Sequence, residues 1–161
     1  MIKQSTIDKM HDLRLAYMAS AFEDQCNSHA YDNLSFEDRV GMLVDRQWDN
    51  MKSNTLQKLM KQSAFRYPNA CMEDIEYLPD RNLDKSLLLE LSTGRYITDS
   101  HHVILKGASG SGKTYLSNAL GVAACRNYTK VSYIRLPDLL NELAIAHAEG
   151  TFARTIKKKQ K

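Results

Sequence analysis

The chain has 161 residues, of which 43% are apolar and 25% charged. That is the make-up of a globular protein with room for one domain, or for one domain and a helical extension. No run of about 18 apolar residues occurs, which excludes a membrane-spanning helix, and no apolar signal segment follows Met1, Ile2, Lys3, Gln4 and Ser5, so a cytoplasmic protein is expected. The net charge of +3 conceals an asymmetry: residues 1–99 carry 12 Lys/Arg against 16 Asp/Glu, whereas residues 100–161 carry 10 against 3.

The first half reads as helix. Ile7, Met10, Leu13, Tyr17 and Ala21 recur at a spacing of three or four, with Met18 and Phe22 beside them and Ser5, Thr6 and Asp8 as start signals. Residues 27–34 are polar and loop-like. Ser35, Phe36, Glu37 and Asp38 then resemble a capping box, with Asp in the place of the usual Glu or Gln. Phe36, Val40, Leu43, Val44, Gln47, Trp48 and Met51 make a second amphipathic helix, on which Trp48 is expected to pack in the core rather than to stack on a base. Ser53 or Asn54 is placed to cap a third helix with Leu56, Leu59 and Met60 on its buried face. Tyr67, Pro68 and Asn69 break the pattern, residues 70–82 read as a linker, and residues 83–91 read as another helix.

The second half changes character. Val103, Ile104 and Leu105 form a short apolar run of the kind found in a buried parallel strand. It leads into Gly107, Ala108, Ser109, Gly110, Ser111, Gly112, Lys113 and Thr114, which fit the phosphate-binding pattern G-x-x-x-x-G-K-[ST] at every fixed position. A polyphosphate needs backbone N–H donors at close range, and glycine lets the chain curl around it without a clashing side chain. Lys113 is expected to reach the β- and γ-phosphates of ATP, and Thr114 to place its hydroxyl on Mg²⁺. Beyond the loop, Tyr115 is followed by Leu116, Leu120, Ala123 and Ala124 at helical spacing. Strand, glycine loop and helix together aim a helix N-terminus at an anion. Residues 130–135 read as a second strand. Pro137 and Asp138 open a helix whose apolar face is Leu139, Leu140, Leu143 and Ala146. After Gly150 comes a basic tail with Arg154, Lys157, Lys158, Lys159 and Lys161, which suits either nucleic-acid phosphates or a solvated helix end.

Other residue types add less. Cys26, Cys71 and Cys125 have no metal-type spacing and read as buried thiols in a reducing compartment. His101 and His102 precede the first strand with no second ligand set, which suits a solvated strand edge. Hydrolysis by this class of loop needs a further acidic site, an apolar strand ending in Asp or Glu that holds Mg²⁺ and orients water. After Thr114 the acidic residues are Asp138, Glu142 and Glu149, and none follows such a strand. The expected fold class is therefore α/β: a helical N-terminal domain (1–66), a linker and helix (67–91), and a partial ATP-binding domain (92–161) whose parallel sheet is truncated before its acidic strand.

Several runs carry a resemblance to a known family. They are Leu-Ser-Phe-Glu-Asp-Arg at 34–39, Leu-Val-Asp-Arg-Gln-Trp at 43–48, Met-Glu-Asp-Ile at 72–75, Leu83 with Asp84 ahead of Leu91, the phosphate loop, Asp138 with Leu139 and Leu140, and Glu149 with Gly150. The chain resembles the IstB-like ATPases, AAA+ helpers of insertion-sequence transposases related to DnaC-type helicase loaders. The resemblance implies an AAA+ fold, ATP and Mg²⁺ as ligands, double-stranded DNA and a transposase as partners, and self-assembly. It puts the nucleotide phosphates on residues 107–114, counts Tyr115 with them in the nucleotide site, and makes Ile75 and Tyr77 candidates for the adenine pocket. Tyr115 stands where the family often has His. The alternatives are a helicase loader and a nucleotide-binding fragment without turnover.

Overall fold

The computed structural model describes residues 2–159. The chain forms two compact units, Met1–Gln57 and Lys58–Lys161. Among the described residues no helix is long and apolar enough to cross a membrane.

In the first unit, α1 (Ile2–Asp12) and α2 (Ala16–Asn27) are separated by a break, where a single amphipathic helix was expected. The chain reverses at Arg14, which adopts φ 61°. Its N–H donates to His11 O and the next, Leu15 N–H, donates to Met10 O, closing the last turn of α1. Leu13 is consequently 70% exposed instead of lying on an apolar face. The N-terminus of α2 has no side-chain cap of its own. Gln47 supplies one from α3 (Phe36–Gln62), its Oε1 accepting from Met18 N–H at 3.1 Å. Gln25 is buried and ties the same helices together, donating from Nε2 to Arg39 O at 3.0 Å. Ile7, Ala19 and Leu43 are the buried apolar residues beside these polar links.

α3 starts where the capping box places it. Ser35 Oγ accepts from Asp38 N–H at 3.1 Å and donates to Asp38 Oδ2 at 2.8 Å. It then runs without interruption through the expected third helix. Ser53 and Asn54 both lie inside α3, so neither is a cap, and Asn54 donates from Nδ2 to Tyr17 Oη at 2.9 Å. Trp48 does not pack in a core. It is 54% exposed, flanked by exposed Val44 and Met51, with the Lys52 ammonium 4.7 Å from its ring centre.

The second unit is built around α6 (Lys113–Arg126), which buries Leu116, Asn118, Ala119, Leu120, Val122, Ala124 and Cys125. Ala70, Met72 and Ile75 from the long segment after α3, and Leu88 from α4 (Lys85–Ser92), close over Leu116, Ala119 and Leu120. α5 (Arg95–Thr98) is a single turn. Gly121 lets the Phe65 ring approach α6, since a Cβ there would stand 2.6 Å from Phe65 Cε1. α7 (Leu136–Ala148) begins with Pro137 in its first turn as expected, and α8 (Phe152–Lys159) folds beside it, with Lys159 Nζ 2.8 Å from Glu142 Oε2. The basic tail is thus helical as far as Lys159; Lys161 and the Lys158 side chain lie outside what is described.

The parallel sheet expected from the sequence is not formed, and the α/β assignment is overturned. Among the described residues there is no strand: residues 103–105 and 130–135 both lack a ladder partner. Tyr133 N–H instead donates to Ser63 O at 2.8 Å, at the end of α3. The physical reason lies in what a parallel sheet requires. Two short segments satisfy few ladder bonds, and both faces need to be covered by helices and neighbouring strands. Here Ile104 remains 76% exposed.

Candidate phosphate-binding site

The local sequence of residues 107–114 dictates a tight curl. Gly110 and Gly112 adopt φ 79° and 84°, a region that favours glycine. Gly112 is also the residue immediately before α6, and it provides no capping side chain. The first N–H groups of α6 are therefore not satisfied from the cap position, which is the arrangement that suits an anion at a helix N-terminus. Within the curl, Ser111 N–H donates to Ala108 O at 3.3 Å, and Ser109 and Gly110 form the turn.

Lys113 folds back over the loop. Its Nζ donates to Gly107 O at 2.9 Å, to Ala108 O, and to Ser111 Oγ at 3.4 Å. A Cβ on Gly107 would stand 3.0 Å from Ser111 Oγ, so the close return of the loop also depends on that glycine. Thr114 is half-buried in the first turn of α6, and its carbonyl accepts from Asn118 Nδ2 at 2.6 Å. Tyr115 follows in the same turn. Its Oη accepts from Cys71 N–H at 3.3 Å and its ring lies 6.1 Å from that of Tyr67, so the side chain braces the 67–72 segment.

Sequence reasoning missed two residues that support the loop. Asn118 is fully buried and joins Thr114 O to Tyr67 N–H, which reaches its Oδ1 at 3.2 Å. The signal was an amide at a position flanked by Leu116 and Leu120 on a strongly buried helix. Arg81 ends a short turn of 3-10 helix (Pro79–Arg81) in the linker, and its Nη2 donates to Ser111 O at 3.4 Å. Nothing local marks that arginine.

Beside the loop lies a cleft of about 630 Å³. Leu87, Leu88 and Leu91 of α4 and residues 103–105 give it an apolar side, while Arg81, Lys106 and Lys113 give it positive charge. Its acidic lining residue, Asp84, is committed to α4: Oδ1 accepts from Ser86 N–H at 2.8 Å and Leu87 N–H at 3.1 Å. Replacing it is expected to loosen the helix that walls the cleft. Asp84→Ala should lower unfolding stability by about 1 kcal/mol, measured by urea denaturation.

The other candidates are dispersed. Ile75 lies in the core, and Tyr77 lines a separate hollow of about 220 Å³ with Glu73 and Arg126. There the Cys71 thiol donates to Glu73 Oε2, and Arg126 Nη1 lies 3.3 Å from Glu73 Oε1. The thiol hydrogen bond, then Glu73's own N–H and the guanidinium, hold the Glu73 carboxyl below its ordinary range. Burial pushes the Cys125 thiol up, in keeping with an unreactive core residue. Cys26, by contrast, is exposed rather than buried. His101 and His102 are both exposed, and among the described residues no group of three or more His, Cys, Asp or Glu is placed to hold a metal ion.

The sequence profile of the family described as IstB-like ATP binding protein matches residues 8–161. The chain belongs to that family. Its similar relatives include the insertion sequence IS1162 ATP-binding protein of Pseudomonas fluorescens, 40% identical over 156 residues. They include the insertion sequence ATP-binding protein y4pL of Sinorhizobium fredii (strain NBRC 101917 / NGR234), 33% identical over 154 residues. A third is the insertion sequence IS232 ATP-binding protein of Bacillus thuringiensis subsp. berliner, 26% identical over 155 residues. These alignments take in 97%, 96% and 96% of this chain and 68%, 62% and 61% of the respective relatives. The chain therefore spans between six and seven tenths of the length of these IstB-like proteins.

Proposed function

We propose that this chain binds ATP at residues 107–114 and serves as the nucleotide-binding part of a transposition helper that acts on DNA together with a transposase. The observation that carries the reading is the loop itself: two left-handed glycines set a curl at the N-terminus of α6, and Lys113 Nζ lies within hydrogen-bond reach of its carbonyls. These residues fit a polyphosphate. Uncapped N–H groups at the start of α6 would donate to an anion, Lys113 can exchange its carbonyl contacts for stronger ones to phosphate, and the Thr114 hydroxyl would be the protein's ligand to a magnesium ion. When bound, Mg²⁺ would neutralise part of the phosphate charge. The family name and the names of the relatives, insertion sequence ATP-binding proteins, support the assignment to transposition.

In this reading the 161 residues hold ATP without turning it over. The acidic residue lining the cleft, Asp84, caps α4, and Glu142 pairs with Lys159. Among the described residues lining the cleft beside Lys113, the carboxylate present is thus already committed to a helix cap. Phosphate release with saturating ATP–Mg²⁺ is expected at the rate of the Lys113→Ala control. Sustained release that the Lys113→Ala substitution abolishes would refute this part. The proposed contact with DNA is tested by titrating duplex binding against salt. An affinity that falls steeply as salt rises is expected of phosphate contacts, and a flat dependence would remove DNA from the assignment.

A further inference from the structure

We propose that Arg81 is a second phosphate-binding cation of the loop, delivered from the linker ahead of α4. The proposal rests on ATP binding at residues 107–114 and adds a residue that the loop motif does not contain.

Arg81 lies 30 positions before Ser111 in sequence, yet its guanidinium lies against the loop. Nη1 donates to Glu76 O at 2.9 Å, and Nη2 donates to Ser111 O at 3.4 Å. The same Nη2 stands 3.0 Å from where a Cβ of Gly112 would be, at the start of α6. Arg81 also lines the cleft that Gly107, Ala108, Ser111 and Lys113 line. The two contacts are unequal. The Glu76 bond has ordinary length and fixes the side chain, whereas the Ser111 contact is long, so Nη2 gives up little if a better acceptor arrives. A phosphate oxygen is such an acceptor, and the planar guanidinium keeps further N–H donors for it. Lys106 and Lys113 already bring positive charge to the cleft; Arg81 adds a guanidinium that lies against the loop itself. Its backbone sits in the turn leading to Asp84 and α4, so the contact would also fasten the linker to the bound nucleotide.

The alternative is that Arg81 only ties the linker to the loop. Charge separates the two roles. Arg81→Gln removes the charge and shortens the side chain; Arg81→Lys keeps the charge and removes the fork. ATP–Mg²⁺ affinity is to be measured by anisotropy of a fluorescently labelled ATP over a series of salt concentrations, for wild type, both variants and Lys113→Ala. Arg81→Gln is expected to weaken binding about tenfold at low salt and to flatten its salt dependence, and Arg81→Lys to recover part of both. Wild-type affinity in Arg81→Gln, alongside loss in Lys113→Ala, would overturn the role of Arg81 and leave the ATP site standing. Equal weakening in Gln and Lys at every salt concentration would assign Arg81 a structural role instead. No binding by the wild type would overturn the ATP site and this proposal together.

Discussion

ATP with Mg²⁺, supplied at 100 times its Kd, is expected to stabilise the second unit by about 2.7 kcal/mol, and Lys113→Ala to abolish most of that gain. For a chain of this size the gain corresponds to a rise of roughly 5–10 °C in the melting temperature. Lys113 Nζ already lies among the oxygens of Gly107, Ala108 and Ser111, so its removal costs the nucleotide-free fold some hydrogen bonding. The melting temperature of the variant alone therefore does not report on the site. The informative quantity is the difference between melts with and without ATP–Mg²⁺, compared between wild type and variant. A charge-assisted contact to phosphate outweighs a contact to a carbonyl, which is why the nucleotide-dependent part is expected to collapse. A folded wild type whose melting temperature ignores ATP–Mg²⁺ would remove the binding assignment.

Asn118→Ala is expected to be among the most destabilising single substitutions in the second unit, by on the order of 2–4 kcal/mol in a urea titration. Asn118 has no solvent exposure. Its Oδ1 accepts from Tyr67 N–H and its Nδ2 donates to Thr114 O at 2.6 Å. Alanine would leave the Tyr67 N–H without this acceptor and open a void beside Leu116, Ala119 and Leu120. Asn118→Asp tests the donor half alone, because a carboxylate keeps the acceptor for Tyr67 N–H but confronts Thr114 O with a second acceptor. It should be at least as damaging as alanine, since it buries charge as well. Equal stability of all three proteins would show that the amide bridges nothing. Since Thr114 follows Lys113, loss of the bridge should also weaken ATP binding in protein that remains folded.

What could be read from the chain alone tracks the range of the forces involved. The curl at Gly110 and Gly112, the helix directly after the loop, the cap at Ser35 and the Pro137 start of α7 were all legible. Each depends on residues within a few positions: a glycine where φ is positive, a hydroxyl facing an N–H three residues on, a proline in a first turn. The break after α1 was hidden because Leu13 and Tyr17 continue the apolar spacing across it, while the reversal depends on Arg14 accepting φ 61°. The continuity of α3 was hidden for the opposite reason. Ser53 and Asn54 are cap formers, and Asn54 finds Tyr17 instead. Trp48 shows the limit of amphipathic patterns, since periodicity tells which residues share a face and leaves open whether anything covers it.

The sequence by itself determined the glycine curl at residues 107–114, the helix that follows it and membership of the IstB-like family, because a motif of fixed spacing and a run of related residues need no distant partner. Only the tertiary structure decided that residues 103–105 and 130–135 form no sheet and that Arg81 and Asn118 serve the loop. Each of those outcomes depends on a partner many positions away: Ser63 O for Tyr133, Ser111 O for Arg81, and Tyr67 N–H for Asn118. Local propensity fixes how the backbone turns at a residue, while the partner of a buried donor or a long cationic side chain is settled only when the chain closes on itself.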